Sequence, residues 1–151
     1  MTSDTAPSGT SSASSTYSTL PAWGAFSGDW LGWLTNGTGL GSPQWVQYQF
    51  TSGKVVKSYA IIPWSSDSWP DRNLTEWHLD GSNDGSSWTT LDTRTRGVST
   101  TRDPKWRWTI WEPKYFSCAN STSYTYYRLV ITANGGNAYV GLQHFELYVT
   151  P

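Results

Sequence analysis

Residues 63–73 hold the side chains best suited to binding chemistry. The stretch combines two tryptophans with three planar polar side chains: Trp64, Trp69, Asp71, Arg72 and Asn73. A sugar offers apolar C–H faces, which stack on a flat aromatic ring, and hydroxyl groups, which pair with planar polar side chains. We therefore predict that this stretch forms a sugar-binding loop.

Three further residues are candidate ligand contacts. Trp30 lies in the first loop, and Asn134 and Asn137 flank two glycines in a late turn. The alternative for each tryptophan is packing, because large aromatic side chains dominate protein cores. Three residues that alternate, and so share one face of a predicted strand, are assigned to the core or to an interface: Trp106, Trp108 and Ile110.

Catalytic chemistry finds little support in the sequence. It contains no pattern typical of a nucleophile turn, a zinc protease, a phosphate-binding loop or a cofactor site. Acid–base catalysis by two carboxylates needs a pair of acidic groups that meet in space. The candidates lie in polar loops, where solvated carboxylates are expected: Asp67, Asp71, Glu76 and Asp103. We predict that the chain is not an enzyme.

Length, charge and composition narrow the class further. The 151 residues suit one domain, and 11 Trp and 9 Tyr favour pleated, half-buried surfaces. The net charge of −1 comes without a cluster of Lys and Arg, so we expect no nucleic-acid partner. No apolar run has the roughly 20 residues of a membrane span, so we expect no membrane insertion. The single cysteine, Cys118, excludes an intramolecular disulfide and is expected to be buried.

The chain divides into an arm and one predicted β domain. Residues 1–16 are rich in Ser and Thr and are predicted to be a flexible arm, with the domain spanning residues 17–151. Alternating apolar and polar residues predict strands in the domain. These strands are residues 44–51, 54–62, 75–80, 88–93, 124–133 and 139–149. The second strand is apolar on both faces and is predicted to lie mid-sheet, and Asp84-Gly85 is predicted to form a hairpin turn.

Five short motifs resemble the discoidin, or coagulation factor 5/8 type C, domain family. They occur in the family's order and cover residues 17–149. The motifs are Ala25-Phe26-Ser27-Gly28, Pro43-Gln44-Trp45-Val46-Gln47-Tyr48, residues 77–88, Tyr126-Tyr127-Arg128-Leu129 and Phe145-Glu146-Leu147-Tyr148. The resemblance implies an all-β, antiparallel jelly-roll sandwich of about eight strands. This galactose-binding-like fold is also that of family 32 carbohydrate-binding modules, whose ligand loops lie at one end of the sandwich.

The hallmark residues have structural interpretations. Trp45, Trp77 and Trp88 are predicted to plug the ends of the sandwich core. Arg128 is predicted to bond loop carbonyls rather than a ligand. Each of these interpretations places a family residue in the scaffold and leaves recognition to the loops.

Calcium is a family feature that this sequence disfavours. Many carbohydrate-binding relatives hold a structural Ca²⁺ near the first loop, and the ion needs six to eight oxygen ligands. Ser27 stands where the family has Asp, and His144 stands where an acidic residue is expected, with Glu146 two residues later. Asp29 remains, but one carboxylate is a poor site. We predict neither a bound metal nor another cofactor.

The function predicted from these observations is adhesion. We expect a non-catalytic module that binds cell-surface glycan and works as a homo-oligomer or in many copies. The sequence has no basic, apolar leader after Met1, so a bacteriophage virion protein, made in the host cytoplasm and released by lysis, is the predicted setting. Residues 91–95 and 120–128 also resemble stretches of phage tail and capsid accessory proteins. The alternatives are a structural virion subunit that binds partner proteins and a module cut from a larger extracellular glycan-active enzyme.

Overall fold

A computed structural model describes residues 3, 8–29, 31–37, 39–64, 70–96 and 112–149. These residues form nine strands and two short 3-10 helices, the latter at Ala22–Phe26 and Pro70–Arg72. The strands are β1 (Thr10–Ala13), β2 (Trp33–Leu34), β3 (Gln44–Lys54), β4 (Val56–Pro63), β5 (Leu74–Ser82), β6 (Thr89–Thr95), β7 (Lys114–Ser117), β8 (Tyr124–Asn134) and β9 (Gly141–Val149). In this part of the chain, no helix has the length and apolarity needed to cross a membrane.

The strands form two antiparallel sheets. One has five strands in the order β1-β3-β8-β5-β6, and the other has four in the order β2-β9-β4-β7. The predicted all-β, antiparallel sandwich is therefore confirmed. The prediction that residues 54–62 lie mid-sheet is also confirmed, because β4 pairs with β7 on one side and with β9 on the other.

The core lies between the two sheets and consists of the side chains that point inward from the strands. Its largest fully buried side chains include Trp33, Tyr59, Ile61, Leu79, Tyr127, Leu129, Ile131, Leu142 and Phe145. The Tyr59 hydroxyl accepts a hydrogen bond from Trp77 Nε1 at 3.0 Å and donates one to Asp92 Oδ2 at 2.7 Å. Burial, together with the bond to Asp92, raises the pKa of Tyr59 well above its ordinary value. The core therefore keeps its buried hydroxyl groups neutral and paired.

The tryptophans divide between the two faces of the five-stranded sheet. Trp77 is 3% exposed and lies in the core, as predicted. The prediction is wrong for Trp45 and Trp88, which are half-buried on the outer face. Trp45 precedes the buried Val46 along β3, so the two side chains point to opposite faces. Trp88 lies just before β6 and covers Arg128, whose guanidinium carbon is 3.9 Å from the indole centroid.

Arg128 binds a carboxylate rather than the predicted loop carbonyls. Its Nε and Nη2 atoms both donate to Asp80 Oδ2 at 3.1 Å. The other oxygen, Asp80 Oδ1, lies 2.7 Å from His78 Nδ1 and accepts a bond from Thr90 Oγ1 at 2.9 Å. The outer face of the sheet thus carries a paired polar network, which we call the sheet-face network (His78, Asp80, Trp88, Thr90 and Arg128).

The predicted flexible arm is wrong for residues 10–15. Thr10–Ala13 form β1, which pairs with β3 at the edge of the five-stranded sheet, and Ser11 is 3% exposed opposite Tyr48. Ser15 Oγ donates to Gln44 Oε1 at 3.0 Å, and its carbonyl accepts a bond from Trp33 Nε1 at 2.9 Å. Ala13 is the one apolar side chain of this segment, which is held mainly by hydrogen bonds of its backbone and hydroxyl groups.

The turn between β5 and β6 forms as predicted. Gly85 has a φ of 72°, the left-handed conformation that glycine adopts at low cost. Asp84 Oδ1 accepts bonds from the backbone N–H groups of Ser86 and Ser87 at 2.8 and 2.7 Å. These bonds, with that of Ser87 the strongest, hold the pKa of Asp84 well below its usual value.

Candidate functional site

Four strand ends meet at one end of the sandwich and carry the predicted site. β4 ends at Pro63 and β5 begins at Leu74, while β8 ends at Asn134 and β9 begins at Gly141. We call the surface formed by the connecting loops the rim. It contains six of the eight predicted ligand residues: Trp64, Asp71, Arg72, Asn73, Asn134 and Asn137. The other two, Trp30 and Trp69, lie outside the described residues, as do Asp67, Asp103, Trp106, Trp108 and Ile110.

Asn73 braces the first rim loop. The residue is 8% exposed, and its Oδ1 atom accepts a hydrogen bond from the Trp64 backbone N–H at 2.9 Å. This bond joins the two ends of the connection between β4 and β5. Asn73 therefore shapes the loop from beneath, and its amide oxygen is already engaged.

Asn134 plays the same part in the second rim loop. Its Nδ2 atom donates to the carbonyls of Asn137 and Tyr139 at 2.9 and 2.8 Å, and its Oδ1 atom accepts a bond from the Gly136 N–H at 2.9 Å. Asn137 Oδ1 in turn accepts a bond from the Tyr139 N–H at 2.9 Å. The two asparagines fold this turn upon itself, as short amide side chains do in tight turns.

The two rim loops are in direct contact through Asp71. Asn137 Nδ2 donates to Asp71 Oδ2 at 2.9 Å. Gly135 lies so close that a Cβ atom there would be 2.5 Å from Asp71 Cα, which only glycine permits. The second oxygen, Asp71 Oδ1, is buried and accepts no hydrogen bond from the described residues.

Trp64 forms an aromatic wall over backbone. A Cβ atom on Gly32 would lie 3.1 Å from Trp64 Cζ3, and one on Gly141 would lie 3.0 Å from Cε3. Because neither glycine has a side chain, the indole rests directly on the main chain. Trp64 is half-buried, so part of the ring remains accessible.

Arg72 lies on a tyrosine that sequence reasoning missed. Its guanidinium carbon is 5.0 Å from the centroid of the Tyr139 ring, a cation–π distance. Tyr17 packs edge-on against the same ring at 5.6 Å and is 44% exposed. Gly37, with a φ of 81°, allows the approach, since a Cβ atom there would be 2.5 Å from Tyr139 Cζ. The signal for Tyr139 was its position directly after the Asn-rich turn.

The first loop has few anionic groups that could bind a metal ion. Ser27 is 1% exposed, and its hydroxyl donates to the Gly24 carbonyl at 2.9 Å. Asp29 is exposed, and hydrogen bonds, of which that with Ser27 is the strongest, lower the pKa of its carboxyl group. Among the described residues, no three His, Cys, Asp or Glu side chains converge as metal ligands. The groups of the rim that could bind a ligand are therefore aromatic rings, amides and the adjacent Asp71 and Arg72.

Comparison with known proteins identifies the fold. No protein-family model matches the chain, and no curated sequence matches it. A family 32 carbohydrate-binding module of Clostridium perfringens, in complex with GalNAc-β-1,3-galactose, superposes with a TM-score of 0.73 at 16% identity, covering 93% of this chain and 94% of that one. Chitosan-binding module 1 of a Paenibacillus chitosanase/glucanase gives 0.70 at 21% identity, covering 96% and 98%. An F5/8 type C domain of Bacteroides fragilis gives 0.73 at 17% identity, covering 93% and 90%.

Proposed function

We propose, from the galactose-binding-like fold that this chain shares with carbohydrate-binding modules and F5/8 type C domains, that it is a non-catalytic module that binds carbohydrate at its rim. The observation that carries the proposal is the gathering of Trp64, Asp71, Arg72 and Tyr139 at one end of the sandwich. A half-buried indole, a guanidinium and a carboxylate are the groups that a sugar face and its hydroxyls require.

The rim divides the work between two kinds of residue. Asn73, Asn134 and Asn137 hold the loops with their amides, as their bonds to backbone and to Asp71 show. Arg72 has a planar fork of donors that pairs with neighbouring hydroxyl oxygens. The sugar ring would stack against Trp64, and its hydroxyls would meet Arg72.

The neighbours support a saccharide ligand without fixing which one. One is described in complex with GalNAc-β-1,3-galactose, another with galactose, and a third as chitosan-binding. A shallow rim of this kind supplies roughly 4–6 kcal/mol, which corresponds to a millimolar to tens-of-micromolar Kd. Such affinity favours use in several copies, where linked sites raise the overall strength.

The rim is tested by a glycan array followed by calorimetric titration of the best ligand. We expect Trp64→Ala and Arg72→Ala each to weaken binding by about tenfold, or 1.4 kcal/mol. Tyr115→Ala is the matched control, because Tyr115 is a 66% exposed ring on β7 and lies outside the two rim loops. The proposal would be contradicted if all three variants bound the glycan with equal affinity, or if the unaltered chain bound no glycan.

The setting in which the module works is a separate part of the proposal. A virion role, with the module in many copies on a phage particle, rests on the resemblance of residues 91–95 and 120–128 to stretches of phage tail and capsid accessory proteins. The rival is a module of a larger extracellular glycan-active enzyme, and the chitosanase/glucanase origin of one neighbour favours it. Mass spectrometry of purified particles and of secreted proteins separates the two.

A further inference from the structure

The sandwich holds a cavity of about 460 Å³ on the side where β3 faces β9. β2 covers only the start of β9, through the pairs Trp33 with Leu142 and Leu34 with Gly141. Inward-facing rings of β3 and β9 therefore border an open hollow. From Gly141, which touches Trp64 at the rim, the strand runs five residues, about 17 Å, to Glu146 in the cavity wall. The cavity is distinct from the rim.

Three tilted aromatic rings form the cavity walls. Phe26 and Tyr48 have centroids 5.2 Å apart at 53°, and Tyr48 and Phe50 are 4.9 Å apart at 71°. All three are half-buried, and the buried Phe145 packs 5.7 Å from Phe26 beneath them. All three rings line the cavity, and their planes are inclined to one another.

The position of Tyr48 is fixed by the segment that precedes β1. Its hydroxyl donates to the Ser8 carbonyl at 2.5 Å. Gly9, with a φ of 72°, lies against the ring, since a Cβ atom there would be 2.6 Å from Tyr48 Cζ. The aromatic wall is therefore held in place before any ligand enters.

A carboxylate stands on the cavity lip. Glu146 Oε1 lies 3.0 Å from His144 Nε2, and Tyr148 donates its hydroxyl proton to Glu146 Oε2. The Glu146 side chain is 44% exposed. None of the nine lining residues is Lys or Arg, and Glu146 is the one Asp or Glu among them.

We infer that this cavity binds a small organic ammonium ion, with its alkyl groups against Phe26, Tyr48 and Phe50 and its charge beside Glu146. The electron-rich faces of aromatic rings attract cations, and rings arranged around a hollow are the usual receptors for alkylammonium groups. The Glu146 carboxylate adds coulombic attraction at the opening, and an ammonium ion that has N–H groups can also donate a hydrogen bond to it. A choline head group and an amino sugar both offer this chemistry.

Titration followed by nuclear magnetic resonance tests the inference. We expect choline chloride to shift the amide signals of residues 145–148 in a saturable way, with a Kd of about 1–10 mM for a half-open site. The neutral isostere 3,3-dimethyl-1-butanol should bind at least about tenfold more weakly, because it has the shape without the charge. Glucosamine and N-acetylglucosamine, as a charged and a neutral pair, show whether an amino sugar is also accepted.

Two variants test separately how much the Glu146 charge and the aromatic rings contribute to choline binding. Glu146→Gln keeps the size of the side chain and should weaken choline binding by about tenfold. Phe50→Leu keeps an apolar wall but removes a π face, and should weaken it by at least about threefold. Arg72→Ala, at the rim, should leave the Kd for choline unchanged, so failure here is distinct from failure of the glycan site. Equal binding of choline and its neutral isostere, or unchanged affinity in both cavity variants, would overturn the inference.

Discussion

Two regions of the molecule gather an aspartate, an arginine and an aromatic ring, yet they differ in how their polar atoms are paired. In the sheet-face network, Arg128 donates twice to one oxygen of Asp80, and two further groups engage the other. Trp88 covers the guanidinium at 3.9 Å. The Asp80 side chain is 3% exposed, and every part of it has a partner.

The rim has the same residue types, but its aspartate is less completely paired. One oxygen of Asp71 is bonded to Asn137, whereas no described residue donates to the other. Arg72 lies over Tyr139, with its guanidinium carbon 5.0 Å from the ring centroid. The difference teaches that residue types alone do not mark a binding site: a network whose partners lie within the chain stabilises the fold, and one with remaining capacity is suited to a ligand.

Removing Asp80 should have the largest effect. Asp80→Ala leaves Arg128 partly buried without its carboxylate, and we expect a loss of about 3 kcal/mol in the free energy of unfolding. Urea unfolding measures it. The matched variant Asp71→Ala breaks one bond, from Asn137, and should cost about 1 kcal/mol. Equal losses would show that the two regions are not different in kind.

Exchanging the tryptophans should produce a smaller effect that separates stability from binding. Trp88→Leu uncovers Arg128 and is expected to lower the free energy of unfolding by about 1 kcal/mol while leaving glycan affinity unchanged. Trp64→Leu removes the aromatic wall of the rim and should lower glycan affinity. Thermal unfolding measures the stability of both variants, and calorimetric titration measures their glycan affinity. A loss of glycan affinity in Trp88→Leu would contradict the separation of the two regions.

The smallest effect is expected at Asp84, at the far end of β5 from the rim. Its folded-state pKa is depressed below the unfolded value of about 3.9, so its contribution to stability is present above that pH and is lost as the pH falls through the folded-state pKa. Asp84→Asn should therefore reduce stability at neutral pH, and the difference from the unaltered chain should shrink as acid is added. Urea midpoints at pH 7 and pH 3 check this, and a difference that grows in acid would contradict it.

The strands could be predicted because the alternation of apolar and polar side chains is a local property of the sequence. Six of the predicted strands correspond to β3, β4, β5, β6, β8 and β9, and all of these except β6 carry alternating or continuous apolar residues. Strands β1, β2 and β7 were not predicted. Thr10–Ala13 shows why, since these residues contain little to bury and are strand only because the edge of β3 pairs with them.

Six of the eight predicted site residues lie near one another at one end of the sandwich, but their contacts within the fold were not predicted. The sequence predicts the same ligand-binding role for Asn73, Asn134 and Arg72, whereas the fold uses the two amides to hold the loops and places the Arg72 guanidinium over Tyr139. Hydrogen-bond partners that are distant in sequence, such as Asp71 and Asn137, leave no trace in local pattern.

By itself, the sequence determined the class of fold, the sheets' main strands and the loops that flank them, because side-chain alternation and turn chemistry act over a few residues. Only the tertiary structure decided that Trp77 lies inside while Trp45 and Trp88 lie outside, and which asparagines support the rim. Alternation specifies that two faces differ, but burial against the opposite sheet selects which face is inward.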